Sequence, residues 1–96
     1  TSNLFIVKKG RLFTPPEGPK ILSGITRKVV IEIALKLNIP VSEVKISLAG
    51  LIDADEVFIT STTREIAWVE SIDDKTITSE CGKVTRDLHQ AFQLSY

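Results

Sequence analysis

The sequence predicts an α+β domain, in which a β-hairpin precedes a central helix and further short strands lead to a second helix. Strand-like and helix-like patterns are mixed, without the regular strand–helix–strand alternation of a parallel α/β sheet. The chain has 96 residues, 43% of them hydrophobic, which suits one small domain with a modest core. We therefore expect residues 1–96 to form a single domain of mixed strands packed with helices.

Composition argues against several classes of partner. The formal net charge is +0 with 25% charged residues, whereas nucleic-acid and membrane-surface binding need a basic excess. No apolar run is long enough to cross a bilayer. The single cysteine, Cys81, excludes an internal disulfide framework and a cysteine-based zinc site. It also fits a reducing compartment, so we expect a cytoplasmic protein without a metal.

The N-terminal third predicts a hairpin and then the longest helix. Residues 4–7 and 12–14 are short apolar runs around a turn at 8–11, which is typical of a β-hairpin. After a loop rich in Pro and Gly, Ser23 and Thr26 are both candidate N-caps, and Asn38 followed by Pro40 is a stop signal. The expected buried stripe of this helix consists of Val30, Ile33, Ala34 and Leu37.

The remaining chain predicts shorter elements. We expect a strand in the second half of residues 41–47, a helical turn over 48–52, and strands at 56–60, 66–69 and 76–78, with 70–72 extending the second of these three. Asp53, Asp55 and Glu56 are interpreted as a solvated turn. A last helix is predicted from the apolar stripe Val84, Leu88, Ala91 and Phe92.

Two stretches are candidate anion sites. The first is the helix start at Gly24, Ile25 and Thr26, where backbone N–H groups and a partial positive charge can receive a phosphate or carboxylate. Gly24 permits close approach to the backbone, and Thr26 adds a hydroxyl. An ordinary capped helix start is the alternative.

The second candidate site is the turn Ser61-Thr62-Thr63 between two strands. Its hydroxyls and backbone N–H groups can form an anion-binding nest, although small polar residues also fill many ordinary turns. Together, the two stretches suggest a ligand with two negative groups, or one phosphate held from both sides.

The other reactive residue types predict no chemistry. His89 is expected on a solvated helix surface, Cys81 as an unreactive loop residue, and Trp68 in core or domain-interface packing. No nucleophile–base arrangement is present, and no lysine lies in an evident apolar pocket. The residues alone therefore predict a small anion-binding module without a catalytic centre.

Several motifs, in collinear order over nearly the whole chain, add to this interpretation. They are Asn3-Leu4-Phe5, Leu12-Phe13-Thr14-Pro15-Pro16, Leu22-Ser23-Gly24-Ile25-Thr26-Arg27, the run from Ala54 to Ile66, and Gly82-Lys83-Val84-Thr85-Arg86. They resemble the class IV aminotransferases, the fold-type IV pyridoxal-phosphate enzymes, for which the Gly-Ile-Thr-Arg helix start is a hallmark.

This resemblance implies a cofactor, pyridoxal 5'-phosphate, and a role for each candidate stretch. In the family, backbone N–H groups matching Ile25 and Thr26, next to Gly24, and the hydroxyl matching Thr26 hold the cofactor phosphate. The residue matching Thr62 adds a phosphate contact, and the turn matching Thr62 and Thr63 faces the substrate carboxylate. The chemistry then belongs to the cofactor, while the protein supplies position and electrostatics.

The second turn also implies a subgroup. Ser61-Thr62-Thr63 followed by Glu65-Ile66 is most similar to the D-amino-acid aminotransferases, whereas branched-chain members usually carry Ser-Gly-Thr-Ala and aminodeoxychorismate lyases an Asn-Ser pair. Ala67-Trp68 departs from the usual Thr-Pro pair at the pocket wall. A branched-chain aminotransferase or an aminodeoxychorismate lyase remains the alternative within the fold.

The resemblance further implies parts that lie upstream of Asn3 in the family: the Schiff-base lysine, the glutamate that pairs with the pyridine nitrogen, and the N-terminal domain. We therefore expect this chain to be the C-terminal portion of a dimeric transaminase acting on an amino acid and a 2-oxo acid. It would carry no catalytic residue and be inactive alone. The alternative is a stand-alone, non-catalytic module that binds phosphorylated ligands or a protein partner.

Overall fold

The fold is a mixed five-stranded sheet with two long helices on one face. The structure, a computed structural model, describes residues 2–16, 25–61, 66–72, 75–77 and 82–95. Its elements are β1 (Ser2–Lys8), β2 (Arg11–Thr14), α1 (Ile25–Lys36), β3 (Val41–Glu43), α2 (Leu48–Ile52), β4 (Glu56–Ser61), β5 (Ile66–Trp68), β6 (Ser71–Ile72), β7 (Lys75–Thr76) and α3 (Lys83–Ser95). The predicted α+β class is confirmed.

The five strands are ordered β3-β2-β1-β4-β5, so the N-terminal strand lies at the centre of the sheet. β1 pairs antiparallel with both β2 and β4, and β5 pairs antiparallel with β4. β3 is parallel to β2, because α1 returns the chain from the end of β2 to the end of the sheet at which β2 starts. β6 and β7 form a separate antiparallel pair.

The predicted hairpin is confirmed, and its turn explains the register. Lys9 and Gly10 both have positive φ angles, 52° and 73°. Two such residues in a two-residue loop are typical of a type I′ turn, whose twist matches that of the flanking strands. The turn sets Lys8 opposite Arg11 and Ile6 opposite Phe13.

The core has two parts, one on each face of the sheet. The helix-covered face buries the larger cluster, in which the rings of Phe5 and Phe58 stack with centroids 5.0 Å apart. On α3, Leu88 and Phe92 belong to this cluster, as the predicted stripe requires. The opposite face carries a smaller cluster around Ile6, Ala54 and Val57.

Helix α1 follows the prediction except at its two ends. Asn38 has a φ of 62°, the left-handed conformation expected of it just beyond the helix. Thr26 is the second residue of the helix, so its assignment as an N-cap was wrong; Ser23 lies outside the described residues. Leu37 was wrongly placed in the buried stripe, since it follows the last helical residue and is 44% exposed, while Val29 is buried instead.

Two strand predictions also need correction. The strand predicted in the second half of residues 41–47 occupies the first half, because Val41 pairs with Leu12 and Glu43 with Thr14. Residues 71–72 form the separate strand β6 and do not extend β5.

Trp68 lies on the edge strand β5 and is 38% exposed, outside the core formed by the described residues.

Candidate functional site

The start of α1 and the end of β4 lie at the same end of the sheet. Ser61, the last residue of β4, pairs with Ser2 at the start of β1. β2 runs antiparallel to β1, so its last residues point to that same end. Arg27, in the first turn of α1, donates from Nη2 to the carbonyl oxygen of Pro15, which follows β2. The described parts of the two predicted anion sites, the start of α1 and the last residue of β4, therefore lie at the same end of the sheet.

The first turn of α1 is buried where it meets the sheet. Thr26 is 5% exposed and Arg27 is 3% exposed. Backbone N–H groups in a first helical turn have no partner within the helix, so they can bind an anion. The first turn of α1 contains no acidic residue. Gly24 lies outside the described residues, and only the backbone of Ile25 is described.

The end of β4 is the second half of the site. Ser61 is the last residue of the strand, so it does not belong to the turn to which it was assigned. Thr62 and Thr63 lie outside the described residues. Thr60 shares the helix-covered face with Phe58, because residues two apart on a strand point the same way. Its buried hydroxyl has no hydrogen-bond partner among the residues that the structure describes.

The strand order places the two ends of the site on either side of β1. The start of α1 is linked through Arg27 to the ends of β2 and β3, and β1 lies between β2 and β4.

The second long helix starts in a different environment. Glu56, the first residue of β4, accepts hydrogen bonds at its carboxylate from the backbone N–H groups of Val84 (3.3 Å) and Thr85 (2.8 Å). The residue is 9% exposed, so its interpretation as part of a solvated turn was wrong. The start of α3 is therefore capped by a carboxylate of the same chain.

Sequence reasoning missed this role of Glu56 because the partners are 28 and 29 positions apart. The one sequence signal for this cap is Gly82, directly before the helix. Glycine has no side chain that could cap the helix, and the first turn of α3 contains no acidic residue. A helix start of this kind needs a capping group from elsewhere in the chain.

The remaining candidates form no further site. Asp53 and Asp55 contact Lys8 at 3.5 and 3.6 Å, at the exposed end of the hairpin. His89 is half-buried on α3, and Cys81 lies outside the described residues. Within the described ranges, no group of three potential ligands is placed to hold a metal ion. No helix among them is long and apolar enough to cross a membrane.

Comparison with known proteins places these features in a family. The family model described as amino-transferase class IV matches residues 1–72. A D-alanine aminotransferase from Listeria monocytogenes is 46% identical over 92 residues, covering 95% of this chain and 32% of its own length. The chain therefore spans about a third of the length of this curated relative.

Solved structures agree in fold. The branched-chain amino acid aminotransferase of Escherichia coli superposes with a TM-score of 0.90 at 45% identity, over 96% of this chain and 31% of the other. An aminotransferase from Brucella abortus bound to the cofactor PLP superposes with a TM-score of 0.86 at 29% identity, over 99% of this chain and 33% of the other. The five-stranded mixed sheet and its helices are thus those of the fold-type IV aminotransferases. With a family model matched over most of its length, the chain belongs to the class IV aminotransferases.

Proposed function

We propose that this chain forms the part of a pyridoxal-phosphate-dependent transaminase that binds the cofactor phosphate and the substrate carboxylate. The observation that carries the proposal is the position of the first turn of α1, in which Thr26 and Arg27 are buried at the end of the sheet where β4 ends. A helix start at this edge offers N–H groups to a phosphate, and the turn after β4 offers a second polar surface.

The residues proposed to hold the phosphate are Gly24, Ile25, Thr26 and Thr62. Ile25 and Thr26 would donate backbone N–H groups, Thr26 and Thr62 would add their hydroxyls, and Gly24 would leave room for the phosphate. The turn at Thr62 and Thr63 is proposed to face the substrate carboxylate.

The cofactor and the residues of this chain have separate roles in the proposed reaction. Pyridoxal phosphate supplies the electron sink for chemistry at the substrate's α-carbon. The residues of this chain bind and orient the phosphate and the carboxylate, so they fix the substrate relative to the cofactor ring. We assign no catalytic residue to this chain, and propose that the Schiff-base lysine lies upstream of Asn3.

The substrate is proposed to be a D-amino acid, with a 2-oxo acid as the amino-group acceptor. The hydroxyl-rich sequence Ser61-Thr62-Thr63 supports this choice by its similarity to that subgroup. A D-alanine aminotransferase and a branched-chain aminotransferase are about equally similar to the chain, at 46% and 45% identity. A branched-chain aminotransferase therefore stays the alternative, with aminodeoxychorismate lyase as a third member of the fold.

An assay of amino-group transfer tests this proposal. The full-length protein, loaded with pyridoxal phosphate, is given D-alanine or L-leucine with 2-oxoglutarate. We expect D-alanine to be the better donor, and residues 1–96 alone to show no turnover. A preference for L-leucine would favour the branched-chain alternative, and turnover by residues 1–96 alone would contradict the assignment of the catalytic lysine.

A stand-alone module without catalysis is the second candidate function. Such a module would bind a phosphorylated ligand at the same helix start. If the reading frame upstream of Thr1 encodes a lysine in a family-like strand and a glutamate shortly before Asn3, the enzyme is supported. A start codon directly upstream would favour the module.

Assembly and location complete the proposal. We expect a dimer, as is typical of the family, and a cytoplasmic protein, since a single cysteine fits a reducing compartment.

A further inference from the structure

Arg27 links the start of α1 to two strands. Its guanidinium Nη2 donates to the carbonyl oxygen of Pro15 after β2 and to Oε1 of Glu43 at the end of β3, both at 3.1 Å. The side chain of Arg27 is 4% exposed, whereas that of Glu43 is 52% exposed. The link therefore has a buried, cationic end on the helix and a half-solvated, anionic end on the edge strand.

The position of this cation is unfavourable for the helix itself. Arg27 is the third residue of α1, and a positive charge near a helix N-terminus opposes the helix dipole. A buried guanidinium also loses its hydration, which only well-placed acceptors offset. The dipole and the burial therefore do not favour an arginine here, and we attribute its placement to the link that it makes.

We propose that Arg27 is a positioning residue for the phosphate site, held by Glu43, and this inference rests on the proposed function. By joining the first turn of α1 to the ends of β2 and β3, Arg27 fixes where the N–H groups of Ile25 and Thr26 point. Both bonds come from Nη2, whose two N–H groups lie in the guanidinium plane, so the plane fixes the directions of the two acceptors in a way that the rotating ammonium group of a lysine does not.

The chain contains a matched control. Lys28 is the next residue of the same helical turn, carries the same charge, and is exposed. Replacing Lys28 removes one positive charge close to the site without touching the link. Comparison of Lys28→Met with Arg27→Met therefore separates positioning from simple electrostatic attraction, and Arg27→Lys keeps the charge while losing the fork.

The test compares two ligands that differ only in the phosphate. Dissociation constants for pyridoxal 5'-phosphate and pyridoxal are measured by absorbance titration of the full-length apoprotein and its variants. We expect Arg27→Lys and Arg27→Met to weaken pyridoxal phosphate about tenfold, with pyridoxal changed less than about twofold. Lys28→Met should leave both values within about twofold. Glu43→Gln, on the half-exposed side of the link, should weaken pyridoxal phosphate by about threefold.

The outcomes separate the two proposals. If the Arg27 variants bind pyridoxal phosphate normally, or lose both ligands equally, the positioning role is overturned while the proposed function stands. If the wild-type protein binds pyridoxal phosphate no better than pyridoxal, the proposed function fails and the inference with it. If the Arg27 variants do not fold, Glu43→Gln provides the test. An unchanged ratio of the dissociation constants for pyridoxal 5'-phosphate and pyridoxal in that variant overturns the positioning role of the Arg27–Glu43 link.

Discussion

At the scale of single residues, Glu56 and Gly82 form the best-defined interaction of the structure. The Glu56 carboxylate lies against the backbone of Gly82. It accepts hydrogen bonds from the backbone N–H groups of Val84 and Thr85, two and three residues after the glycine. A Cβ atom on Gly82 would overlap the Glu56 carboxyl group. The glycine is therefore required because the capping carboxylate occupies the space of a side chain.

Gly82→Ala should destabilise the protein by about 2 kcal/mol, because the carboxylate must leave its two N–H donors to make room for the methyl group. Glu56→Ala, which removes the cap, should lower the free energy of unfolding by about 1–2 kcal/mol. In the Glu56→Ala background, Gly82→Ala should then cost less than about 0.5 kcal/mol. Urea unfolding of the four proteins measures this cycle, and additive effects would show that the two residues do not act together.

A residue-scale difference also distinguishes the two long helices. α3 starts against a carboxylate of the same chain, while α1 starts with a buried threonine and a buried arginine. The start of α3 is therefore capped by the chain's own carboxylate, and the start of α1 is the one that we propose to bind an external anion. This contrast could not be predicted from the sequence, because Glu56 and its partners are 28 or more positions apart.

At the scale of elements, local sequence signals were sufficient to predict most of the helices and strands. The pairing between strands that are distant in sequence could not be predicted from them. The hairpin, α1, α2, β4, β5 and α3 were predicted from periodicity, turn residues and stop signals. β3 was predicted in the wrong half of its segment, since its place depends on parallel pairing with β2, about 30 positions earlier. Apolar periodicity alone does not contain that information.

The hairpin turn gives an element-scale prediction. Gly10 has a φ of 73° with no atom within 4 Å of an added Cβ, so Gly10→Ala changes only the backbone preference. It should destabilise the protein by about 1 kcal/mol. Lys9→Asn should stabilise it by about 0.5 kcal/mol, because asparagine tolerates the left-handed conformation that Lys9 adopts.

Thermal unfolding of the two hairpin variants checks this prediction. The variants should shift the unfolding midpoint in opposite directions. A shift in the same direction would contradict the assignment of a type I′ turn.

At the scale of the whole molecule, one sheet face remains partly uncovered among the described residues. Leu4, Ile59 and Ala67 are cross-strand neighbours on β1, β4 and β5, on the face opposite α1 and α3. Ile59 is 38% exposed and Ala67 is exposed. A row of apolar side chains across three strands favours contact with another protein surface.

Residues 1–96 alone should therefore self-associate as concentration rises. Ile59→Thr keeps a β-branched residue in the strand but removes apolar surface, so it should weaken association. Leu48→Gln, an exposed leucine on α2, serves as the control and should have little effect. Sedimentation velocity over a range of concentrations measures this, and a monomer at every concentration would count against the prediction.

The central claim is that the start of α1 binds the phosphate of pyridoxal phosphate. The most direct measurement compares the start of α1, as the test, with the start of α3, as the control. Backbone amide chemical shifts of the ¹⁵N-labelled protein are followed during titration with pyridoxal 5'-phosphate, with pyridoxal as the ligand lacking the phosphate. We predict saturable shifts of the Ile25 and Thr26 amides with the phosphorylated ligand only. The amides of Val84 and Thr85, already bonded to Glu56, should not shift. Unchanged Ile25 and Thr26 amides, or equal shifts at both helix starts, would contradict the account.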